Sequence, residues 1–170
     1  MCIFHRFLWE SLKAAAEKPL KCLGVAAVGV LADCAANWLV SIVIMIIKPD
    51  FSNVNDDAIL GMIRDHTSFF VFATVFLVPI TEETFYRGTL FQSLYHKSRK
   101  IALAVSVLTF AAVHVVDYIG FFDPLTLLLC FVQYLPSGIL LALAYEETDT
   151  VITPILIHIF INLIAVFAAR

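Results

Sequence analysis

Charge is what this sequence has least of. Only 15% of its 170 residues are Asp, Glu, Lys or Arg, against roughly 25% in soluble domains. With 61% of residues hydrophobic and a mean hydropathy of +0.93, too few polar side chains remain to cover a water-soluble fold, and the bilayer is the solvent that fits. The net charge of -3, from 11 Lys and Arg against 14 Asp and Glu, leaves no basic field, which excludes nucleic acid as a partner. Cysteine is scarce as well. Cys2, Cys22, Cys34 and Cys130 form no C-x-x-C pair, so they read as free thiols, not as a zinc knuckle or a disulfide framework. Internal repeats, low-complexity tracts, Asn-x-Ser/Thr acceptors and an H-E-x-x-H motif are all absent.

Long apolar runs are abundant. A spanning helix needs about 20 of them in a row, and such runs fall near 23–47, 67–94, 100–117, 124–145 and 151–169. Pro49 ends the first, Lys97-Ser98-Arg99-Lys100 divides the second from the third, and Asp123-Pro124 opens the fourth with a cap residue and a first-turn proline. Thr153-Pro154 starts the fifth in the same way. The expected fold is all-α, a polytopic membrane bundle over 23–170 preceded by an amphipathic segment over 1–22. In that segment Phe4, Phe7, Leu8, Leu12 and Ala15 share one helical face, and Arg6, Glu10, Lys13, Glu17 and Lys21 share another, the pattern of a helix lying in the membrane interface. Its charges break the apolar core that a cleaved signal peptide needs, so it is expected to be retained. Lys and Arg cluster on one side of the bundle (Arg6, Lys13, Lys18, Lys21, Lys97, Arg99, Lys100) against Lys48, Arg64 and Arg170 on the other. That bias places the N-terminus in the cytoplasm.

The informative residues are those a bilayer ought to exclude: Glu82, Glu83 and Arg87 in the second span, His114 in the third, His158 and Asn162 in the fifth. An ionised group costs roughly 2.5–3.5 kcal/mol at the centre of a spanning helix by insertion scales, so something must compensate it. Glu83 and Arg87, four residues apart, share a face and can pair, whereas Glu82 is turned about 100° away without that partner. Pro79 removes a backbone bond to Val75 and can open a wet cavity beside the acids. At about 1.5 Å per residue, Glu82 and His114 lie at similar depths from one membrane face, as do His158 and Asn162. Asp33 and Asn37 in the first span, and Gln133 and Tyr134 near Pro136, read as interhelical hydrogen bonding. His5, His66 and His96 read as ordinary solvated histidines, and the Asp/Asn-rich segment 50–57 as a wet loop.

Three motifs in order then carry a resemblance. Glu82-Glu83-Thr-Phe-Tyr-Arg87 resembles the E-E-x-x-x-R motif of the CAAX protease and bacteriocin-processing family (CPBP, or Abi), intramembrane endopeptidases that include the type II CAAX prenyl proteases. Phe110-Ala-Ala-Val-His114 is similar to its F-x-x-x-H motif and His158-Ile-Phe-Ile-Asn162 to its H-x-x-x-N motif, the likeness covering about 70–165. The chain is short for that family, and Ala142 stands where relatives often carry a second glycine. The resemblance implies that Glu82, with His114, holds and deprotonates a water. It also implies that His158 and Asn162 donate hydrogen bonds to the oxyanion and that the Glu83–Arg87 pair holds the Glu82 helix in place.

A zinc ion on Glu82, His114 and His158 would be a two-His, one-carboxylate set; the metal-free chemistry is the expectation. Expected partners are membrane lipid and a membrane-associated or lipidated peptide, and the expected location is a bacterial inner membrane. Two other classes use the same residues. A proton or ion transporter needs buried Glu, Arg and His but gets a poor frame from five spans without a repeat, and a catalytically silent scaffold or immunity protein would keep the fold without the reaction.

Overall fold

The structure, a computed structural model, describes residues 2–65 and 67–168. Met1, His66, Ala169 and Arg170, and the side chains of Cys2 and Phe4, lie outside the described residues, so the readings made for them do too. Seven helices make up the described residues: α1 (Cys2–Glu17), α2 (Pro19–Ile47), α3 (Val54–Asp65), α4 (67–95), α5 (Arg99–Val116), α6 (Pro124–Thr148) and α7 (Ile152–Ala168). The bundle is helical throughout, without a β-strand among the described residues.

Local chemistry sets the boundaries. Lys18 precedes a proline and is driven out of the helical region (φ -137°, ψ 53°), and Pro19 then starts α2 at a position where its missing N–H is not needed. Lys48, again before a proline, ends α2. Ser98 and Asp123 cap α5 and α6 by accepting from the backbone N–H groups of Ile101 and Thr126. The Thr126 hydroxyl also donates, to Asp123 Oδ2 at 2.6 Å, and this bond together with the one from the Thr126 N–H holds the Asp123 carboxyl below its ordinary range.

Four helices, Pro19–Ile47, Ser68–Tyr95, Arg99–Val116 and Pro124–Thr148, are long and apolar enough to cross a membrane. Their outer faces carry large exposed apolar side chains such as Leu20, Leu31, Ile46 and Phe69, which lipid, not protein, would cover. The fifth expected span, Ile152–Ala168, has 17 described residues, about 26 Å at the helical rise. Small residues let the helices close up: a Cβ on Gly29 would meet Ile157 of α7 at 2.5 Å, and one on Gly138 would meet Val107 and Phe110 of α5 at 3.2 and 3.3 Å.

Two expectations change. The N-terminal segment is not one helix to residue 22. It breaks at Lys18 because of Pro19, and 19–22 are the first turn of α2. Its inner face lies on the bundle and not only on the interface: the Phe7 ring occupies the space where Gly88 lacks a Cβ, and the Thr150 hydroxyl donates to the Ser11 carbonyl at 2.7 Å. The segment 50–57 is likewise more than a wet loop. Asn53 is 7% exposed, donates to Gln133 Oε1 at 3.0 Å, and caps α3 by accepting from the N–H groups of Asn55 and Asp56. The Asp33–Asn37 pair does join helices, through Asn37 Nδ2 to Ser137 Oγ at 3.1 Å.

Candidate active site

The irregular helix is α4. Over Ala73–Leu77 and again over Tyr86–Phe91 it widens to π-helical turns, a device that recurs at functional sites. Pro79 explains the first. It has no N–H for Val75, and its ring crowds the carbonyl one turn back, so the preceding turn adopts the wider register, with the Val78 N–H reaching the Ala73 carbonyl. In that register the next carbonyl, Thr74, would take its proton from residue 79, which has none to give. Asn162 of α7 supplies it instead, Nδ2 donating to Thr74 O at 2.9 Å. One N–H of the amide is thereby used, and one remains.

The two adjacent acids differ in kind. Glu83 is fully buried, and its Oε1 accepts from Arg87 Nη1 at 2.9 Å and from His158 Nδ1 at 2.8 Å. Arg87 is fully buried too, donates through Nη2 to the Gly138 carbonyl at 2.9 Å, and lies 4.6 Å from the centre of the Phe110 ring. The expected Glu83–Arg87 pair is thus present, and His158 is a further partner of Glu83. Glu82 has no such company: its Oε2, like Glu83 Oε2, is buried without a hydrogen bond, and Glu82 has no counterpart of the two bonds that Glu83 makes through Oε1.

Tautomers follow from the partners. A carbonyl only accepts, so His114, whose Nδ1 lies 2.7 Å from Phe110 O, carries its proton on Nδ1 and keeps a lone pair on Nε2. The His114 ring stacks on Tyr134, centroids 4.0 Å apart and planes at 25°. The Tyr134 hydroxyl in turn donates to Asp56 Oδ1 at 2.6 Å and accepts from Asn55 Nδ2 at 3.0 Å. Beyond the expected kink-side bonding, Tyr134 therefore ties α3 to the His114 ring.

Glu82, His114, His158 and Asn162, brought from α4, α5 and α7, line one cavity of about 510 Å³. Glu83 and Arg87 sit behind it, outside its lining. Tyr134, Thr74, Asn55 and Asp56 also border the cavity; sequence reasoning assigns Tyr134 interhelical bonding and Asn55 and Asp56 a wet loop, but places none of them at the site and does not single out Thr74. Only the position of Pro79, with a π register assumed, could have pointed to Thr74. As for a metal, both imidazoles can offer Nε2, yet among the described residues no three His, Cys, Asp or Glu side chains lie together so as to hold an ion. Glu82, His114 and His158 as arranged do not fit one.

Residues 64–164, more than half of the chain, match the family model described as type II CAAX prenyl endopeptidase Rce1-like. Comparison with curated proteins and with solved structures finds no match.

Proposed function

The chain belongs to the Rce1-like family of type II CAAX prenyl endopeptidases, and from that premise we propose that it hydrolyses peptide bonds of membrane-associated substrates with a water activated by Glu82 and His114. The protein is a membrane protein of a protease family. The observation that carries the reading is the convergence of Glu82, His114, His158 and Asn162 on one cavity, with a Glu82 oxygen left unpartnered.

The roles follow from donor and acceptor capacity. A water between the Glu82 carboxylate and the His114 Nε2 lone pair donates one hydrogen bond to each and keeps its own lone pair for the carbonyl carbon. Glu82 takes one proton as the O–C bond forms. The oxyanion receives the remaining N–H of Asn162 and, from an imidazolium His158, the Nε2–H, while Nδ1–H stays on Glu83. That protonation state makes the buried group neutral: Glu82 and Glu83 against Arg87 and His158. Collapse of the intermediate breaks the C–N bond, and the proton held by Glu82 leaves with the amine. Glu83 and Arg87 are positioning residues for His158 and the α4 helix. No step is routed through a metal, so a chelator should leave cleavage unchanged; loss that zinc restores would reverse that assignment.

The N-terminus faces the cytoplasm in this reading, because the basic residues collect on the α1 side. The setting is a bacterial inner membrane, and the partners are lipid and a membrane-associated or lipidated peptide. The test presupposes no substrate: protein termini are compared in host membranes containing equal amounts of wild type or Glu82→Gln. Termini that vanish with the variant support hydrolysis. Identical termini, with both proteins folded, favour a silent scaffold or immunity protein.

A further inference from the structure

A water shared by Glu82 and His114 is activated only if the imidazole points at it, and the ring has few constraints of its own. The last torsion of a histidine is broad and roughly two-fold, which does not hold an imidazole to the roughly 10–20° that a reacting group needs. On α5 itself His114 has two contacts: Nδ1 lies 2.7 Å from the Phe110 carbonyl, and the Phe110 ring is tilted against it with centroids 4.9 Å apart. The bond fixes the tautomer, but one bond lets the ring tilt about it. The ring that reaches His114 from another helix is Tyr134 of α6, with centroids 4.0 Å apart and planes at 25°. A near-parallel face resists that tilt.

Tyr134 is held in turn. Helix α6 does not do this alone, because Pro136 lies inside it and has no N–H for the Val132 carbonyl, so the turn that carries Tyr134 is one backbone bond short. The first turn of α3 makes up for it. The Tyr134 hydroxyl donates to Asp56 Oδ1 at 2.6 Å, with Asn53 Oδ1 a second acceptor at 3.3 Å, and accepts from Asn55 Nδ2 at 3.0 Å. Asn53 also donates at 3.0 Å to Gln133, the residue before Tyr134. A ring needed only for packing would be served by Phe, whereas this hydroxyl spends both its donor and its acceptor capacity on α3.

We propose that Tyr134 is a positioning residue for the reaction: the first turn of α3 holds its hydroxyl, and its ring holds His114 at the angle at which Nε2 meets the water on Glu82. The proposal rests on the endopeptidase reading and deepens it. It gives α3, which supplies none of the reacting groups, a part in the rate.

Two measurements on the full chain test it. The first needs no substrate: nuclear magnetic resonance of protein with isotope-labelled histidine in detergent, the His114 ring signals being those that His114→Gln lacks. In wild type the stacked Tyr134 ring shifts them upfield. Tyr134→Leu should remove that shift, and Tyr134→Phe, which keeps the ring but frees it from α3, should reduce it. The second is the rate, per amount of folded protein, at which the termini that Glu82→Gln abolishes appear in host membranes. Misplacing a reacting group by about 1 Å costs on the order of 10²-fold; Tyr134→Leu should approach that loss, and Tyr134→Phe should be slower than wild type by several-fold. Asp56→Ala should match Tyr134→Phe and add little in the Tyr134→Phe background, since both remove the same bond. If Tyr134→Leu does not fold, Tyr134→Phe and Asp56→Ala decide. A Tyr134 that serves stability alone would lower yield and melting temperature on substitution and leave the rate and the His114 signals as in wild type, a result that overturns the inference with the endopeptidase reading intact. Slower cleavage with unmoved His114 signals overturns it too. Wild-type membranes with no Glu82-dependent termini sink the endopeptidase reading, and the inference with it.

Discussion

The two ends of the bundle are built on different principles. At the α1 end the chain closes on itself: Phe91, Ala102, Ala142, Tyr145, Val151 and Ile155 form a buried cluster, and Phe7 fills the gap at Gly88. The ion pairs there, Arg99–Glu146 and Lys21–Glu147, involve partly or largely exposed side chains. At the α3 end the helices stand apart around a cavity, α4 leaves the α register over Ala73–Leu77, and the Glu82 side chain that borders the cavity has a buried oxygen with nothing to bond. One end is packed shut, with Thr153 Oγ1 a buried group there that lacks a hydrogen bond, while the other leaves an unbonded carboxylate oxygen beside a cavity where a reaction could use it. Glu83 and Arg87 form the boundary, a pair bonded to each other, to His158 and to the Gly138 carbonyl, though Glu83 Oε2 and Arg87 Nε are left without a hydrogen bond, behind a Glu82 that has no such partners.

The comparison breaks most completely at that boundary. Glu83→Ala leaves buried Arg87 without its anion and His158 without its acceptor, and losing one partner of a buried pair costs about 3–5 kcal/mol. The variant should fail to accumulate in membranes, which an expression and thermal-melt series would read. Next comes the carbonyl left over by Pro79. Asn162→Ala strands Thr74 O, at about 1–3 kcal/mol for an unsatisfied buried group. Adding Pro79→Ala restores a backbone N–H at residue 79 and should recover the melting temperature without recovering cleavage. Failure of that rescue would separate Asn162 from the π turn. The smallest effect lies at the closed end. Arg99→Gln removes an exposed pair, and such pairs contribute little, so its melt should overlay that of wild type.

Much of the architecture could be read from the chain because lipid leaves few alternatives. Lys48-Pro49 stops α2 and Asp123-Pro124 starts α6 where those residues led one to expect, and the Glu83–Arg87 spacing announced an ion pair that is present. What periodicity along single helices does not carry is lateral distance. Nothing in α7 says that His158 meets Glu83, or that the Tyr134 ring lies on His114. The role of Asn162 toward Thr74 was hidden for another reason: it exists only once the turn before Pro79 has widened by one residue. Polar composition also misled at 50–57, where Asn53 reads as solvated and is instead buried beneath α6 contacts, serving as a cap and a donor.

The central claim is that neighbouring carboxylates on one helix do opposite work, Glu83 holding the fold and Glu82 held ready for the reaction. Melting Glu82→Gln and Glu83→Gln side by side in detergent tests it most directly. Replacing a buried carboxylate that lacks a partner should cost no stability, since sites arranged for function are kept below their stability optimum. Glu82→Gln is therefore predicted to melt at or above wild type, and Glu83→Gln well below it. A Glu82→Gln protein that melts as low as Glu83→Gln would contradict the account.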